Sequence, residues 1–596
     1  MFTRAFFLSV LILLINISNS LSKSSSDENL LRIVITPTRF ETKINQTASN
    51  IIILDKKDIE NSNSSSLSEL LNSQVGIISN NQGGVGQTSS YFIQGFEKKY
   101  ISILIDGISF ADNTATQSET YLNTISLDEI ERIEILKGPQ GAIYGSSAAG
   151  GVISIITKSN NKKGINNSFS SKFGSFGTVS SAINTGYSSD KWNFNLSING
   201  AHSDGFSAKS TVEENENDSF NSAKTALKFS IKNENNLNIF STFRQIDNKL
   251  QYDNAYTAND FNKIRQTAGS FKIEKKNNFL NSFIQIAKQR TVRQFGTYQY
   301  YGDTLNFDFL NQYDLNYNHE LIFGFEYDDE KYDDKTTRAD TDRHSFLTGL
   351  NGNINSDIGY DISIREENDT KYGSQISSRV ESFYQFAPYL NVAFSNSSGF
   401  RNPSLYEAFG PYGLSTISPE TTKTNRLTFS GKSKKINGAY SVNAFKSKIS
   451  NLIAYEGSGY KNVTGTTNIS GMEGSIKSKL KNDLFYDIGI TTTHKKTSDD
   501  KKNILLPRYT FSNSINYIFN NKMSFNFNSF YSEGAHDTSN VELPSYILFG
   551  LKTNYKLNSN TKFNLSVVNI FDEDYVVNRD YNTSGRALYL GFKSEF

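Results

Sequence analysis

The sequence predicts a transmembrane β-barrel of around twenty antiparallel strands or slightly more, preceded by a small α/β domain. The first reason is alternation. Trp192-Asn-Phe-Asn-Leu-Ser-Ile-Asn199 sets Trp192, Phe194, Leu196 and Ile198 on one face of a strand, and Asn193, Asn195, Ser197 and Asn199 on the other. The second is recurrence. After Lys158 helix signals almost vanish, and segments of roughly ten residues repeat the pattern to the C-terminus, among them Met523–Phe527 and Phe563–Val567. The third is continuity. Residues 159–596 hold no Pro-rich or Gly/Ser-rich linker and no domain-length repeat, as a series of separate β-sandwiches would need.

Each segment has its own grounds. Arg4 precedes the apolar run Phe6–Ile15, and Ser18-Asn-Ser20 follows, the order of a secretory signal peptide; residues 1–22 are expected to be cleaved. That run is too short for a membrane helix, and no later segment has the ~18 uninterrupted apolar residues a spanning helix needs. Residues 23–40 lead into the α/β domain, residues 41–158. There, Asp55-Lys-Lys-Asp58 opens a short helix, and Ser66-Leu-Ser-Glu69 reads as a capping box before Leu70-Leu71. Tyr100–Ile105 is a strand followed by the turn dipeptide Asp106-Gly107. Ile130–Leu136 is a second strand, closed by Gly138-Pro139, and Val152–Ile156 is apolar enough to be buried. Residues 159–596 are the barrel. Its closure pairs every backbone amide away from water. With about half of each strand facing an aqueous interior, a mean hydropathy of −0.48 is compatible with a membrane protein. In the last segment Leu588, Leu590, Phe592 and Phe596 share one side, with Tyr589, Lys593 and Glu595 on the other.

Composition excludes several functions. Lys plus Arg is 61 and Asp plus Glu is 60, so the basic excess of a nucleic-acid binder is missing. There is no cysteine, which removes disulfides, thiolate metal sites and cysteine nucleophiles. The five histidines, at 202, 319, 344, 494 and 536, have no helical metal-pair spacing. No G-x-S-x-G elbow, H-E-x-x-H helix or P-loop appears, so neither catalysis nor nucleotide-driven energy supply is expected of the chain itself.

Longer motifs resemble a known family. Ile130-Glu-Arg-Ile-Glu-Ile-Leu-Lys-Gly-Pro-Gln-Gly-Ala-Ile-Tyr-Gly-Ser-Ser-Ala-Ala-Gly-Gly-Val-Ile-Ser-Ile-Ile-Thr157 and Ile101–Gly107 resemble the plug signature of TonB-dependent outer-membrane receptors. Ile33, Val34, Ile35, Thr36, Pro37, Thr38 and Arg39 resemble the TonB box, and Phe596 resembles the terminal aromatic read by the barrel assembly machinery. The resemblance implies a barrel of about 22 antiparallel strands with the α/β domain as a plug inside its lumen. It also implies an outer-membrane location in a Gram-negative bacterium and contact with outer-membrane lipids. The box would lie mobile in the periplasm and pair with TonB by strand addition, coupling the inner-membrane energising complex to the plug.

Within that family the chain is most similar to the cobalamin (vitamin B12) receptors. Asn81-Gln-Gly-Gly-Val-Gly-Gln-Thr-Ser-Ser90 resembles their substrate loop, which implies corrinoid contact by Gln87, Thr88, Ser89 and Ser90; short amide and hydroxyl groups suit the neutral amides of a corrin rim. Arg508, in Leu505-Leu-Pro-Arg508, falls where those receptors have a substrate-facing arginine. Glu216, Asp218, Tyr252 and Asp253 match their calcium-binding loops, although Ser207 stands near a ligand aspartate of the pattern and acidic loops are more often simply solvated. Gln94 replaces the usual arginine of an I-R-G motif. The implied function is TonB-dependent uptake of cobalamin or a related corrinoid. The alternative cargo is a ferric siderophore or haem, for which His344 and His536 carry no receptor-type motif. No cofactor is required by either reading, apart from the structural calcium.

Overall fold

Trp192 and Ile198 are 42% and 47% exposed, whereas Asn195, Ser197 and Asn199 on the opposite face are buried. A water-soluble sheet would show the reverse. The computed structural model that displays this inversion describes residues 33–34, 38–43, 51–160, 162–211, 216–253, 260–498 and 501–596. The expected signal peptide and Ile35, Thr36 and Pro37 of the box lie outside the described residues.

Twenty-two antiparallel strands, from Gly164–Gly174 to Ala587–Glu595, form one closed barrel in which each pairs with its sequence neighbours. The first and last strands close it, with Ser168 opposite Glu595 and Gly174 opposite Tyr589, so the sheet has no edge. Phe596 is locked on: its amide donates to the Asn167 carbonyl and its carbonyl accepts from the Asn167 amide, both at 2.9 Å. Leu588 and Leu590 are half exposed, and Tyr589 is buried, as their alternation requires.

The strands run from 8 residues, Thr561–Val568, to 19, Tyr298–Asn316. Many exceed the roughly ten residues expected of a membrane crossing, because the wall continues above the bilayer. Short turns such as 189–191 and 277–279 join strands at one end; long connections such as 204–219, 402–419 and 451–465 join them at the other. The short-turn end is the periplasmic one in barrels of this kind.

The N-terminal domain fills the lumen. A five-stranded mixed sheet runs in the order Ile51–Asp55, Ile130–Lys137, Gly151–Thr157, Ile101–Ile105, Ile108–Ser109. Its single parallel pair joins Gly151–Thr157 to Ile101–Ile105. Asp106 and Gly107 take positive φ, 51° and 84°, as a two-residue hairpin turn demands. Asp55 caps the helix Lys56–Asn61 and Asp58 returns the bond, a complete capping box. The box expected at Ser66 is half formed. The Ser66 hydroxyl accepts from the Glu69 amide at 3.2 Å, but the Glu69 carboxylate takes the amide and hydroxyl of Ser65 instead. Leu67, Leu71, Ile103, Ile133, Ile135, Ile153 and Ile155 build an apolar core, joined by only small or single wall residues, Ile246, Ala268 and Ala287.

Candidate functional site

Ion pairs tie the plug to the barrel at many points, beside apolar contacts of Phe96 and Tyr100 with Phe445, Ile449 and Ile469. Lys99 pairs with Glu420 at 3.0 Å, Asp106 with Lys228 and Glu129 with Arg244 at 2.6 Å, and Glu60 with Lys593 at 2.7 Å. Lys137 pairs with Glu473 and Glu97 with Lys495, and Arg426 donates to the Lys137 carbonyl at 2.6 Å. Burial alone would raise the Glu60 and Glu97 carboxyls; Lys593 and Lys562 hold the first at about 2, and Lys495 with Lys99 holds the second at about 2.

The plug apex faces the long-loop end. Strands Ile77–Asn81 and Ser89–Ile93 are joined there by a loop containing Gly83, Gly84 and Gly86. The four expected substrate residues divide by role. Gln87 is buried and donates to the Gln251 carbonyl at 2.6 Å, tying the loop to the wall. Ser89 is buried, donating to Asn81 at 2.8 Å and accepting from Asn123 at 3.1 Å. Thr88 is exposed and Ser90 half exposed, the Ser90 hydroxyl accepting from the Gln82 side chain at 3.3 Å. Gly86 has φ of 88°, and a side chain there would collide with the Phe220 ring.

Phe220 belongs to the wall segment beside the acidic residues. One ligand oxygen from each of Glu216, Asp218 and Asp253 lies within 4.8 Å of the others. Backbone amides steady two of them: Ala208 donates to Asp218 at 2.7 Å and Lys209 to Asp253 at 3.1 Å. Oδ1 of Asp218 and Oδ1 of Asp253 are buried without a hydrogen-bond donor. Burial, aided by the neighbouring Asp253 charge, pushes the Asp218 carboxyl up to about 6. Such a group of buried carboxylate oxygens fits a hard cation that takes six to eight oxygens. Tyr252 does not bring its hydroxyl to the group; that hydroxyl donates to Asp260 at 3.1 Å, and the ring stacks on Phe295. Ser207 keeps a place nearby, its hydroxyl donating to the Lys209 carbonyl at 3.0 Å.

At the other end of the plug lies the described part of the expected TonB box, paired with its own chain and reaching the wall. Ile33 and Val34 pair antiparallel with Lys43 and Thr42. Thr38 is buried, and Arg39 reaches the wall to pair with Asp308 at 2.6 Å and with Glu326. Phe40 packs beside it among Phe283, Leu310, Ile322 and Leu347. Glu326 also holds Arg365, which holds Glu367, so the latch belongs to a charged ladder on the wall. Gln94 is fully buried at φ of 50°, with neither amide atom hydrogen-bonded; Lys137 supplies the cation to Glu473 in its neighbourhood.

Residues 43–152 match the model of the TonB-dependent receptor plug domain, and residues 154–570 match that of the TonB-dependent receptor-like β-barrel. The chain belongs to the TonB-dependent receptors. The receptor is therefore a Gram-negative outer-membrane protein of a transport family, not an enzyme. It is 28% identical to the vitamin B12 transporter BtuB of Vibrio cholerae serotype O1 over 594 residues, 95% of each chain. It is 24% identical to the vitamin B12 transporter BtuB of Photobacterium profundum, over 93% of this chain and 94% of that one. Among solved structures, the siderophore receptor PirA of Pseudomonas aeruginosa matches with a TM-score of 0.76 and 16% identity, over 92% of this chain and 99% of that one. A mutant of the ferric enterobactin receptor PfeA from the same organism, in complex with enterobactin, gives 0.78 and 16%, over 92% and 100%. At such identities the structural matches speak for the fold alone.

Two clusters of side chains escaped the sequence reading. Tyr300, Tyr332, Tyr406 and Tyr460 converge at the long-loop end, with the Arg293 guanidinium 4.4 Å from the Tyr300 ring. Arg293 also pairs with Asp112, at 3.3 Å, in the second apical loop of the plug. The tyrosines gathered at 298, 300 and 301 on one strand and at 406 and 460 in the connections were the available signal. The other is the pair Asp308 and Glu326. Of the remaining expectations, Arg508 is exposed, its guanidinium 5.3 Å from the ring of its neighbour Tyr509. His344 lies exposed on the wall strand Arg338–Asn353.

Proposed function

We propose that this receptor imports cobalamin or a related corrinoid, binding it at the extracellular plug apex and releasing it inward when TonB remodels the plug. The supporting observation is the apex itself. Thr88 and Ser90 offer uncharged hydroxyls on a loop braced by Gln87 and by the glycines packed on the acidic segment, in a chain matching vitamin B12 transporters almost end to end. A large neutral amide-rimmed ligand suits uncharged partners that both donate and accept. Glu216, Asp218 and Asp253 would hold a calcium ion, whose charge would offset their repulsion and fix the loop against which the apex rests. TonB would pair with the box as an added strand, replacing the Thr42–Lys43 partner and pulling against the Arg39 latch.

The alternative cargo, a ferric siderophore, has the Arg293 and tyrosine cluster in its favour, since cations and aromatic rings suit anionic catecholate complexes. A binding titration of the purified receptor against cyanocobalamin and a panel of ferric siderophores separates the two. Tight binding of cyanocobalamin alone is expected; tight binding of a siderophore alone overturns the corrinoid assignment. Chelation of calcium is expected to weaken cobalamin binding by at least about tenfold, a loss of ~1.4 kcal/mol, and re-addition to restore it. Deleting residues 33–39 is expected to abolish uptake while leaving binding intact.

A further inference from the structure

The outer face of the wall turns basic where its apolar band ends. On the strand Leu280–Phe295, Ile284 and Ile286 are 45% and 48% exposed, and the next two side chains on that face are Lys288 and Arg290, both exposed. The neighbouring strand Asp260–Lys276 repeats this. Its exposed Ile273 and Phe271 give way toward the long-loop end to exposed Arg265 and Lys263. On the next, Leu237–Tyr252, exposed Phe243 gives way to exposed Lys249. Five basic side chains on three adjacent strands thus face away from the lumen, each nearer the long-loop end than the exposed apolar side chains of its own strand.

Their arrangement is unfavourable as it stands. Lys249 lies directly opposite Lys263 in register, and like charges so placed destabilise a strand pair. Both ammonium groups gather over the Phe261 ring, at 5.9 and 4.8 Å from its centre. Arg265 is paired with Asp247. Among the described residues, no ion pair is made by Lys249, Lys263, Lys288 or Arg290, although Asp303 stands opposite Arg290 in register. On the strand Phe220–Lys232, Asn221 and Ala223 flank the patch and bring no charge. The level is that of the lipid headgroups, because the apolar side chains directly below are the ones that meet hydrocarbon.

We propose that this face, Lys249, Lys263, Arg265, Lys288 and Arg290, binds a phosphate-bearing lipid of the outer leaflet. Its acyl chains lie along Phe243, Phe271, Ile284 and Ile286, and its phosphates bridge the basic groups. A soluble anion would meet only the charges; a lipid meets the charges and the apolar strip below them together.

The test uses the full receptor, purified from outer membranes in mild detergent. Native mass spectrometry and phosphorus analysis would measure retained phosphorylated lipid in wild type and in K249Q/K263Q/K288Q/R290Q. Retention is expected to fall at least about tenfold in the quadruple variant, and to persist in K249R/K263R/K288R. Wild-type retention in the neutralised variant overturns the proposal. Heat-modifiable gel migration checks that the barrel has formed; if the quadruple variant does not fold, K249Q/K263Q and K288Q/R290Q give the same readout separately. Three add-back arms identify the ligand: the phosphorylated lipid, the same lipid stripped of phosphate, and inorganic phosphate. Rebinding of the phosphorylated lipid alone is expected. Equal rebinding of the stripped lipid, or displacement by millimolar inorganic phosphate, overturns it.

Discussion

The inside of the plug is almost wholly apolar, whereas the seam around it mixes many ion pairs with smaller apolar contacts. Within the plug, isoleucines and leucines pack at nearly zero exposure, with Ile133, Ile135, Leu67, Leu71 and Ile155 at the centre. Around it, ion pairs recur, Glu60 with Lys593, Asp106 with Lys228, Glu129 with Arg244, and Lys99 with Glu420, beside smaller apolar contacts such as Phe96 and Tyr100 on Phe445, Ile449 and Ile469. Apolar packing has no substitute when it is opened, because water cannot replace it. An ion pair opened to water is rehydrated at both ends, so it separates at modest net cost once solvent enters. The plug is therefore more cohesive within itself than committed to its place. A stopper that must be displaced by a pull and then return needs that contrast.

The contrast can be broken from either side, and the largest effect is expected in the core. Leu71→Ala should destabilise the plug by roughly 3 kcal/mol, since it leaves a cavity in a fully buried site. The barrel's resistance to thermal unfolding should not change. Limited proteolysis of the plug, read beside heat-modifiable migration of the barrel, checks both. If the two lose stability together, plug and barrel share one cooperative unit and the seam is not the weak boundary described. Next in size is the latch. Arg39→Ala leaves Asp308 and Glu326 without one cation, although Arg365 still holds Glu326. We expect the docked box to be released by about 1–2 kcal/mol, a five- to thirtyfold gain in apparent TonB affinity. Pull-down with a TonB C-terminal fragment would show it; unchanged affinity would mean that the latch does not restrain the box.

What the sequence disclosed follows the range of the interactions. Alternation has a period of two, so the lipid-facing side of Trp192–Ser203 and the inward side of Ala587–Glu595 were readable from local order. The turn at Asp106-Gly107 and the cap at Asp55 were readable too, being made by neighbours. Thr88 and Ser90 came from resemblance, and only the structure separates them from Gln87 and Ser89, which are spent on holding the loop. The Arg39 latch was not legible, because Asp308 and Glu326 lie 269 and 287 residues away. The tyrosine cluster draws on separate strands and connections with no common spacing. The Tyr252 hydroxyl points elsewhere for a local reason: alternation turns its ring from the acidic group that its neighbour Asp253 joins.

The smallest effect tests the seam by pH. Glu60 and Glu97 ionise near 2 in place, below the ordinary glutamate value of 4.5, because lysines face them. A carboxyl lowered in this way contributes its stabilisation fully above about pH 4.5 and loses it as pH falls toward 2. Both side chains are about a third exposed, 31% and 32%, so screening reduces each contribution to about 1 kcal/mol. The core residues Leu71, Ile133 and Ile135 carry no titrating group, so acid should loosen the seam before it unfolds the plug. Hydrogen exchange on the intact receptor from pH 5 to 2.5, corrected for intrinsic rates, would resolve the order. Protection is expected to fall first in the segments around Glu60 and Glu97, and to persist in Ile130–Lys137. In Glu60→Gln the first of these losses should already be present at pH 7 and respond little to acid. Equal loss of protection in the strand Ile130–Lys137 would show that the charged seam and the apolar interior fail together.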